Sequence, residues 1–122
     1  MITATVDESS PVPPFEQLRS QLAGAIRSGA LAPSTRLPTV RQLAGDLGIA
    51  PNTVARAYKA LEGENLVRAR GRRGTVVTDV AALPTGRRQA LVADAVRRYL
   101  AEVERLGVTT EEAIEMARAA AR

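Results

Sequence analysis

The feature that most constrains this 122-residue chain is a pair of helix patterns separated by a very short turn. The run Thr39-Val-Arg-Gln42 is a capping box, in which each end residue's side chain bonds the backbone amide of the other. It predicts a short helix over 40–47, which Gly48 ends. A proline in the first helical turn then starts a second helix over 51–63. Two short helices joined in this way predict a helix-turn-helix unit.

The flanking sequence supplies the rest of a small domain. Upstream, apolar residues recur at helical spacing from Phe15 to Ile26 and form one stripe, which predicts an additional helix. Downstream, two short apolar runs flank a glycine-containing basic turn, which predicts a β-hairpin with a basic tip. The predicted elements are a weak edge strand at 2–6, a helix at 14–28, an irregular connection at 33–38, and hairpin strands at 66–67 and 75–78 around a turn at 70–74.

The chain is expected to divide at a linker over 79–86, between a winged helix-turn-helix domain at 1–78 and a two-helix segment at 87–122. The first helix of this segment, over 87–106, has an apolar stripe that spans about half of its circumference. A second capping box at 109–112 starts an alanine-rich last helix. The fold class is therefore mainly α with a small β-hairpin.

Two isolated helices cannot bury such a wide apolar stripe, so we expect a partner to cover it. A second copy of the chain is the simplest partner, because two-fold symmetric dimers are the commonest oligomers. Packing of both helices back onto the first domain is the alternative. The residues expected at the homodimer interface are Leu91, Val92, Val96, Tyr99, Leu100, Val103, Leu106 and Ile114.

The chain contains no cysteine and no histidine. This composition excludes disulfides, thiolate and imidazole metal sites, and catalysis by a cysteine or by a serine–histidine pair. The acidic residues are scattered and form no convergent catalytic set, so we expect neither an enzyme nor a bound metal or cofactor. Since no apolar run approaches 18 residues and the N-terminus lacks a basic region, we expect no membrane span, no signal peptide and a cytoplasmic location.

The net charge of +4 is modest, but it is concentrated in one stretch. Residues 36–77 carry eight basic side chains against three acidic ones, whereas 1–35 are slightly acidic and 78–122 are balanced. A localised basic excess is the electrostatic signature of a polyanionic partner, with a merely solvated basic surface as the alternative. Because the excess coincides with the helix-turn-helix and the hairpin tip, it favours double-stranded DNA as the partner.

The second helix of a helix-turn-helix enters the DNA major groove, led by its N-terminal residues. There Asn52 can bond adenine bidentately and Arg56 can reach guanine or a phosphate. Local capping is the alternative role for Asn52 and Thr53, and Lys59, two turns in, suits a phosphate contact. A basic hairpin tip can lie in the minor groove, where narrow A·T stretches attract arginine. The residues expected to contact DNA are Arg36, Thr39, Arg41, Asn52, Thr53, Arg56, Lys59, Arg70, Arg72, Arg73 and Gly74.

Five segments carry a recognisable pattern in order and spacing: Leu31 to Ala44, Leu47 to Val54, Ala57-Tyr58, Leu61-Glu62 and Gly74-Thr75. They resemble the GntR family of bacterial regulators over about residues 13–78, and the short two-helix tail resembles the YtrA subfamily. The resemblance implies a winged-helix repressor that dimerises through its C-terminal helices. It also implies DNA contacts by Arg41, Asn52, Thr53 and the wing tip. A dimer would favour an inverted-repeat operator.

The chain departs from the GntR pattern at several turns. Ser34 stands where the family usually has glycine, and Asn65 takes the glycine position of another turn, which places an asparagine in the left-handed region. The wing reads Gly-Arg-Arg-Gly rather than Gly-x-Gly, and Ala50 replaces a polar cap before the recognition helix.

An RNA-binding or protein-binding winged helix is the alternative function. RNA recognition favours exposed aromatic platforms for unstacked bases, and the periodicity places Tyr58 on the buried face of its helix. A small-molecule effector in a dimer cleft remains open, and nothing in the sequence indicates one. The operator and the regulated genes are not encoded in any pattern of the chain.

Overall fold

The computed structural model describes residues 4–122 and contains, within that range, five α-helices and one two-stranded antiparallel sheet. The predicted class, mainly α with a small β-hairpin, is confirmed. The chain divides into two compact units, one ending at Val80 and the other spanning Ala81–Arg122. The elements are α1 (Pro14–Ser28), α2 (Val40–Leu47), α3 (Pro51–Gly63), β1 (Val67–Ala69), β2 (Thr75–Val77), α4 (Thr85–Arg105) and α5 (Thr110–Ala120).

Local signals set the bounds of the first three helices, which match the predicted ranges. The Thr39 hydroxyl accepts a hydrogen bond from the Gln42 amide at 3.1 Å, and the Gln42 side chain accepts one from the Thr39 amide at 3.0 Å. The capping box of α2 is therefore confirmed. Gly29 and Gly48, at φ 86° and 66°, end α1 and α2 in the left-handed conformation that glycine adopts without strain.

One hydrophobic core lies between the three helices and the sheet. The apolar face of α1 packs on α3, and α2 also packs on α3. Phe15 was expected in the buried stripe of α1 but is only half-buried, whereas Ala23, outside the expected stripe, is buried. The buried residues of this core are Leu18, Leu22, Ala23, Leu37, Leu43, Ala44, Val54, Ala57, Tyr58, Leu61, Val67 and Val77.

The connection predicted as irregular at 33–38 contains no strand, but a short extended segment of it hydrogen-bonds to the second edge of the hairpin. β1 and β2 pair in the register Val67 to Val77. On the other edge of β2, the Leu37 amide donates to the Thr75 carbonyl and the Val77 amide to the Thr35 carbonyl, both at 2.8 Å. An isolated antiparallel bridge links Arg36 to β2. The connection before α2 therefore fixes the hairpin from its second edge.

The edge strand predicted at 2–6 begins outside the described residues, and residues 4–6 form no strand with the described chain. Side chains of α1 replace a neighbouring strand. The Gln21 amide group both accepts from the Thr5 amide, at 3.0 Å, and donates to the Thr5 carbonyl, at 2.6 Å. Gln17 makes the same pair of bonds with the backbone of Asp7. These glutamines satisfy the backbone groups that a strand would otherwise pair.

The second unit is a helical hairpin formed by α4 and α5. α4 begins at Thr85, two residues earlier than predicted, so the expected linker over 79–86 is partly helical and also contains a short 3₁₀ turn at Val80–Ala82. Leu106 follows α4 as its cap rather than lying within it. The Tyr99 hydroxyl donates to the Ala113 carbonyl at 2.7 Å and ties α4 to α5.

The second capping box forms only in part. The Thr109 hydroxyl accepts from the Glu112 amide at 3.2 Å, which caps α5 as predicted. The Glu112 carboxylate, however, accepts from the Thr109 hydroxyl at 3.1 Å and not from its backbone. A carboxylate can accept either donor, so the sequence pattern does not decide between them.

The apolar residues of the second unit remain largely exposed. α4 has no buried residue, and Ala113 is the buried residue of α5. Of the residues expected at a dimer interface, Leu91, Leu100 and Val103 are half-buried. The others are exposed, namely Val92, Val96, Tyr99, Leu106 and Ile114.

Candidate nucleic-acid interface

The outer face of α3 is a polar and basic ridge. One side of the helix is anchored in the core, and the Tyr58 hydroxyl donates to the Pro38 carbonyl at 2.8 Å. Burial raises the pKa of Tyr58 to about 12, so this phenol stays protonated at neutral pH. With that side fixed, the opposite side is held outward: Asn52, Arg56 and Lys59 are exposed, as the helical spacing predicts.

The side chains that lead α3 are not used for capping. Ala50 is the N-cap, and α3 begins without a side-chain hydrogen bond at its cap. Asn52 is exposed and Thr53 is half-buried. Within residues 4–122 no hydrogen bond from either side chain to the described chain is seen. Neither residue therefore caps α3 in the described structure. The donors and the acceptor of the Asn52 amide group are unused there and can bond another molecule.

Arg56 stacks on an aromatic ring of a different helix. Its Cζ atom lies 3.7 Å from the centroid of the Phe15 ring, in the first turn of α1. This distance is well inside the range of a cation–π contact. Sequence reasoning placed Arg56 on the exposed ridge but missed Phe15, because helical periodicity does not reveal which residues of two helices face each other.

The start of α2 contributes a second group of predicted residues. The Thr39 hydroxyl is exposed, and its hydrogen bond with the Gln42 amide gives it a structural role as the cap of α2. Arg41 lies exposed in the first turn of α2, where free backbone amides give a helix a partial positive charge. Arg36, from the preceding extended segment, reaches the hairpin, where its guanidinium borders the space that a β-carbon would occupy at Gly74.

The hairpin tip is a compact basic turn. Residues Gly71–Arg73 form one turn of 3₁₀ helix, and the Arg70 amide donates to the Gly74 carbonyl at 2.7 Å. Gly71 and Gly74 have φ values of 56° and 73°, which residues with a β-carbon rarely adopt. The turn presents three exposed arginines, namely Arg70, Arg72 and Arg73.

The charges of this surface differ from those of the rest of the chain. The ion pairs seen among residues 4–122 hold Arg19, Arg27, Arg97, Arg105 and Arg118, all outside the stretch 36–77. Within the described chain, no basic residue of 36–77 is seen in an ion pair. These residues are Arg36, Arg41, Arg56, Lys59, Arg68, Arg70, Arg72 and Arg73.

In the part of the chain that the structure describes, no group of three or more acidic residues is arranged to hold a metal ion. Across the same residues, no helix combines the length and the apolar character needed to cross a bilayer.

Comparison with known proteins identifies the family. The profile of the bacterial regulatory proteins of the gntR family matches residues 14–77. The HTH-type transcriptional regulator Rv1152 of Mycobacterium tuberculosis is 47% identical over 109 residues, covering 89% of this chain and 86% of that protein. The HTH-type transcriptional repressor YtrA of Bacillus subtilis is 30% identical, covering 88% of this chain and 83% of that protein.

A solved structure agrees along almost the whole length. YtrA from Sulfolobus acidocaldarius, a GntR-family transcription factor, superposes with a TM-score of 0.78 at 26% identity and covers 96% of both chains. The resemblance drawn from the sequence motifs is thus confirmed. The chain belongs to the gntR family of bacterial regulatory proteins, as a YtrA-like winged helix-turn-helix transcriptional regulator.

Proposed function

We propose that the protein is a cytoplasmic repressor that binds an inverted-repeat operator as a homodimer and carries no enzymatic activity. The observation that carries the DNA-binding role is the unpaired positive charge of residues 36–77. Charges already neutralised by carboxylates gain little from a phosphate, whereas free arginines release counterions from DNA on contact. The name of B. subtilis YtrA, a repressor, supports the direction of regulation.

The proposed contacts fall into two classes. Asn52 and Arg56 on the ridge of α3 read base edges in the major groove, because both side chains can form two hydrogen bonds with one base. Thr53 and Lys59 lie beside them and contact the sugar–phosphate backbone of the DNA. Phosphate contacts fix the protein on the duplex without reading its sequence. We assign that positioning role to Arg36, Thr39, Arg41 and Lys59.

The hairpin tip forms the second part of the proposed interface. Arg70, Arg72 and Arg73 enter or line the minor groove, where closely spaced phosphates strengthen the attraction for arginine. Gly74 has no β-carbon, which allows the backbone to approach DNA closely. Since the minor groove distinguishes bases poorly, these residues contribute mainly to affinity.

The homodimer is proposed from the exposed apolar residues of α4 and α5. Val92, Val96 and Leu106 are 63%, 51% and 64% exposed in a single chain. A second copy that covers this face removes apolar area from water, which stabilises association by about 25 cal/mol for each Å². Two-fold symmetry then presents two recognition helices to half-sites one duplex turn apart.

RNA binding, the alternative function, finds little support in the aromatic residues. The chain has three, Phe15, Tyr58 and Tyr99. Tyr58 is buried, Phe15 is covered by Arg56, and Tyr99 is held by its hydrogen bond to α5. Tyr99 is nonetheless 38% exposed, but it lies on the face that the proposed homodimer covers, so it is not left open for an unstacked base.

The salt dependence of duplex binding tests the proposal. We expect the affinity of the wild-type protein for duplex DNA to fall steeply with salt. The Arg72→Ala/Arg73→Ala variant should bind more weakly on all sequences, with the slope of log K against log salt reduced by about two for each protomer, or about four for the homodimer. The affinity is measured by fluorescence anisotropy at several salt concentrations.

A charge-matched control separates location from net charge. Arg105→Ala/Arg118→Ala removes the same two charges from exposed ion pairs of the second unit, where each pair contributes little to stability. Its slope and affinity should equal those of the wild type. Equal losses in both double variants would show that binding follows net charge alone and would refute the proposed surface.

A further inference from the structure

We propose that Phe15 is a positioning residue for base readout, which holds the Arg56 guanidinium in place on the ridge of α3 before DNA arrives. The proposal rests on the DNA-binding function above and adds a residue that itself touches no base. The two side chains belong to different helices, and the Cζ atom of Arg56 lies 3.7 Å from the Phe15 ring centroid.

Stacking fixes the arginine without consuming its hydrogen-bond donors. A ring contacts the flat face of the guanidinium, whereas the five N–H groups point outward in its plane. Arg56 is exposed, and it has no ion pair with the described residues 4–122. The side chain is therefore ordered while its charge and its donors remain available.

Arg19 shows what the other way of fixing an arginine does. Its guanidinium contacts Glu16 at 2.6 Å and Glu64 at 3.0 Å. The hydrogen bond to Glu16, with a further contribution from Glu64, raises the pKa of Arg19 above its usual range. Those carboxylates order the side chain but occupy its donors and neutralise its charge. An aromatic ring under Arg56 avoids both effects.

The position of Arg56 along α3 connects the stacking with base readout. Asn52 and Arg56 are four residues apart and lie on the same face of the helix. Their separation along the axis is about 6 Å, close to two base-pair steps of about 3.4 Å. A fixed Arg56 thus keeps two bidentate side chains at a spacing suited to nearby base pairs.

Pre-ordering should strengthen specific binding by a measurable factor. Immobilising a free, rotamer-rich side chain at an interface weakens binding roughly two- to ten-fold. If Phe15 already restricts Arg56 in the free protein, replacing Phe15 should weaken DNA binding by that factor, because Arg56 must then be immobilised on binding. The effect should fall on the base pairs that Arg56 reads, because phosphate contacts elsewhere are unchanged.

The test uses the full chain and a duplex that the wild-type protein selects from a randomised library. Affinities are compared for the wild type, Phe15→Leu, Phe15→Tyr, Arg56→Ala and the double variant Phe15→Leu/Arg56→Ala. Each protein is also measured on single base-pair variants of the selected duplex. Thermal denaturation is recorded for every protein, so that a folding defect is recognised.

We expect Phe15→Leu to bind roughly two- to ten-fold more weakly for each half-site of the selected duplex and to lose discrimination at the base pairs that Arg56→Ala no longer discriminates. Phe15→Tyr retains the ring and should bind like the wild type. In the Arg56→Ala background, Phe15→Leu should have no further effect. Unchanged affinity of Phe15→Leu, or an equal loss with and without Arg56, overturns the positioning role. If the wild type selects no sequence at all, the proposed function fails instead.

A second measurement needs no variant. Nuclear relaxation of the arginine Nε–H groups reports the order of each side chain on a fast timescale. In the free protein, Arg56 should be clearly more ordered than Arg72 at the hairpin tip. Equal disorder of the two side chains would overturn the proposal, even if Phe15→Leu failed to fold.

Discussion

The guanidinium of Arg36 borders the space that a β-carbon would occupy at Gly74. A β-carbon placed at Gly74 would lie 3.3 Å from Arg36 Nε and 3.6 Å from Nη2. The two residues belong to the extended segment before α2 and to the end of the hairpin turn, which are joined further along by the bridge between Arg36 and Val76. The position of the basic tip thus depends on close contact at a residue without a side chain.

Gly74→Ala should destabilise the hairpin. The backbone at Gly74 has φ 73° and ψ −149°, a region that residues with a β-carbon avoid, and the added methyl group would press on Arg36. Such strain typically costs about 1–3 kcal/mol. Chemical denaturation measures the loss in the free energy of unfolding.

Gly24→Ala is the matched control for that substitution. Gly24 lies within α1 and has open space around it. Alanine is the better helix former, so this variant should gain about 0.5–1 kcal/mol. If Gly74→Ala gained stability as Gly24→Ala should, neither the backbone conformation nor the nearby Arg36 would require glycine at position 74.

Ser34→Gly should stabilise the protein. Ser34 has φ 68°, which corresponds to the left-handed region and explains why the GntR pattern usually has glycine there. Relief of this strain outweighs the extra flexibility of glycine in the unfolded chain by about 0.5–1 kcal/mol. Ser20→Gly, in the middle of α1, should instead lower the free energy of unfolding. A destabilised Ser34→Gly variant would contradict the strained conformation.

Tyr58→Phe should lower stability at neutral pH. The substitution removes the hydrogen bond to the Pro38 carbonyl and leaves that carbonyl with one fewer partner. The expected loss is about 1 kcal/mol, or roughly 4–8 °C in melting temperature for a domain of this size. An unchanged melting temperature would show that the hydrogen bond contributes nothing.

The stability difference between the wild type and Tyr58→Phe should also depend on pH in the alkaline range. Burial raises the pKa of Tyr58 from 10.0 to about 12, so the folded state retains a proton that the unfolded state releases. The free energy of unfolding of the wild type should therefore exceed that of Tyr58→Phe by its full amount below pH 10. This difference should decrease as the pH rises toward about 12. Urea denaturation of both proteins at pH 9 and pH 11 measures the difference. A difference that stayed constant would contradict the buried phenol.

Val96→Asp should convert the proposed dimer into a monomer. Val96 is exposed in the single chain, so folding should be retained, but a carboxylate there would be buried without a partner in the dimer. Sedimentation at micromolar concentration should give the 12.9 kDa chain mass for the variant and twice that mass for the wild type. Ala101→Asp, on the opposite face of α4, should remain dimeric. A monomeric wild type that still binds DNA fully would refute the dimer.

The sequence predicted α1, α2 and α3 closely because each helix boundary carries a local signal. Gly29, Gly48 and Pro51 act through their own backbone preferences, which need no tertiary context. The pairing of Arg36 with β2 was missed because such hydrogen bonds join residues far apart in the chain and leave no periodic pattern. The docking of the N-terminal arm by Gln17 and Gln21 was missed for a related reason, since glutamine amides can bond almost any backbone group.

The candidate site was predictable in its residues but not in their contacts. Helical spacing placed Asn52, Arg56 and Lys59 on the exposed face of α3, because the buried face was clearly apolar. The stacking of Arg56 on Phe15 depends on how α1 crosses α3, which the two separate periodicities leave undetermined. The roles of these residues toward DNA remain predictions.

A footprint on the DNA upstream of the protein's own gene tests the central proposal most directly. We expect the wild type to protect two inverted half-sites about 10 base pairs apart, centre to centre. Arg56→Ala should weaken that protection and relax its sequence preference at defined base pairs. If Arg56→Ala gave the same footprint, with the same affinity and preference, α3 would not be the helix that reads the operator.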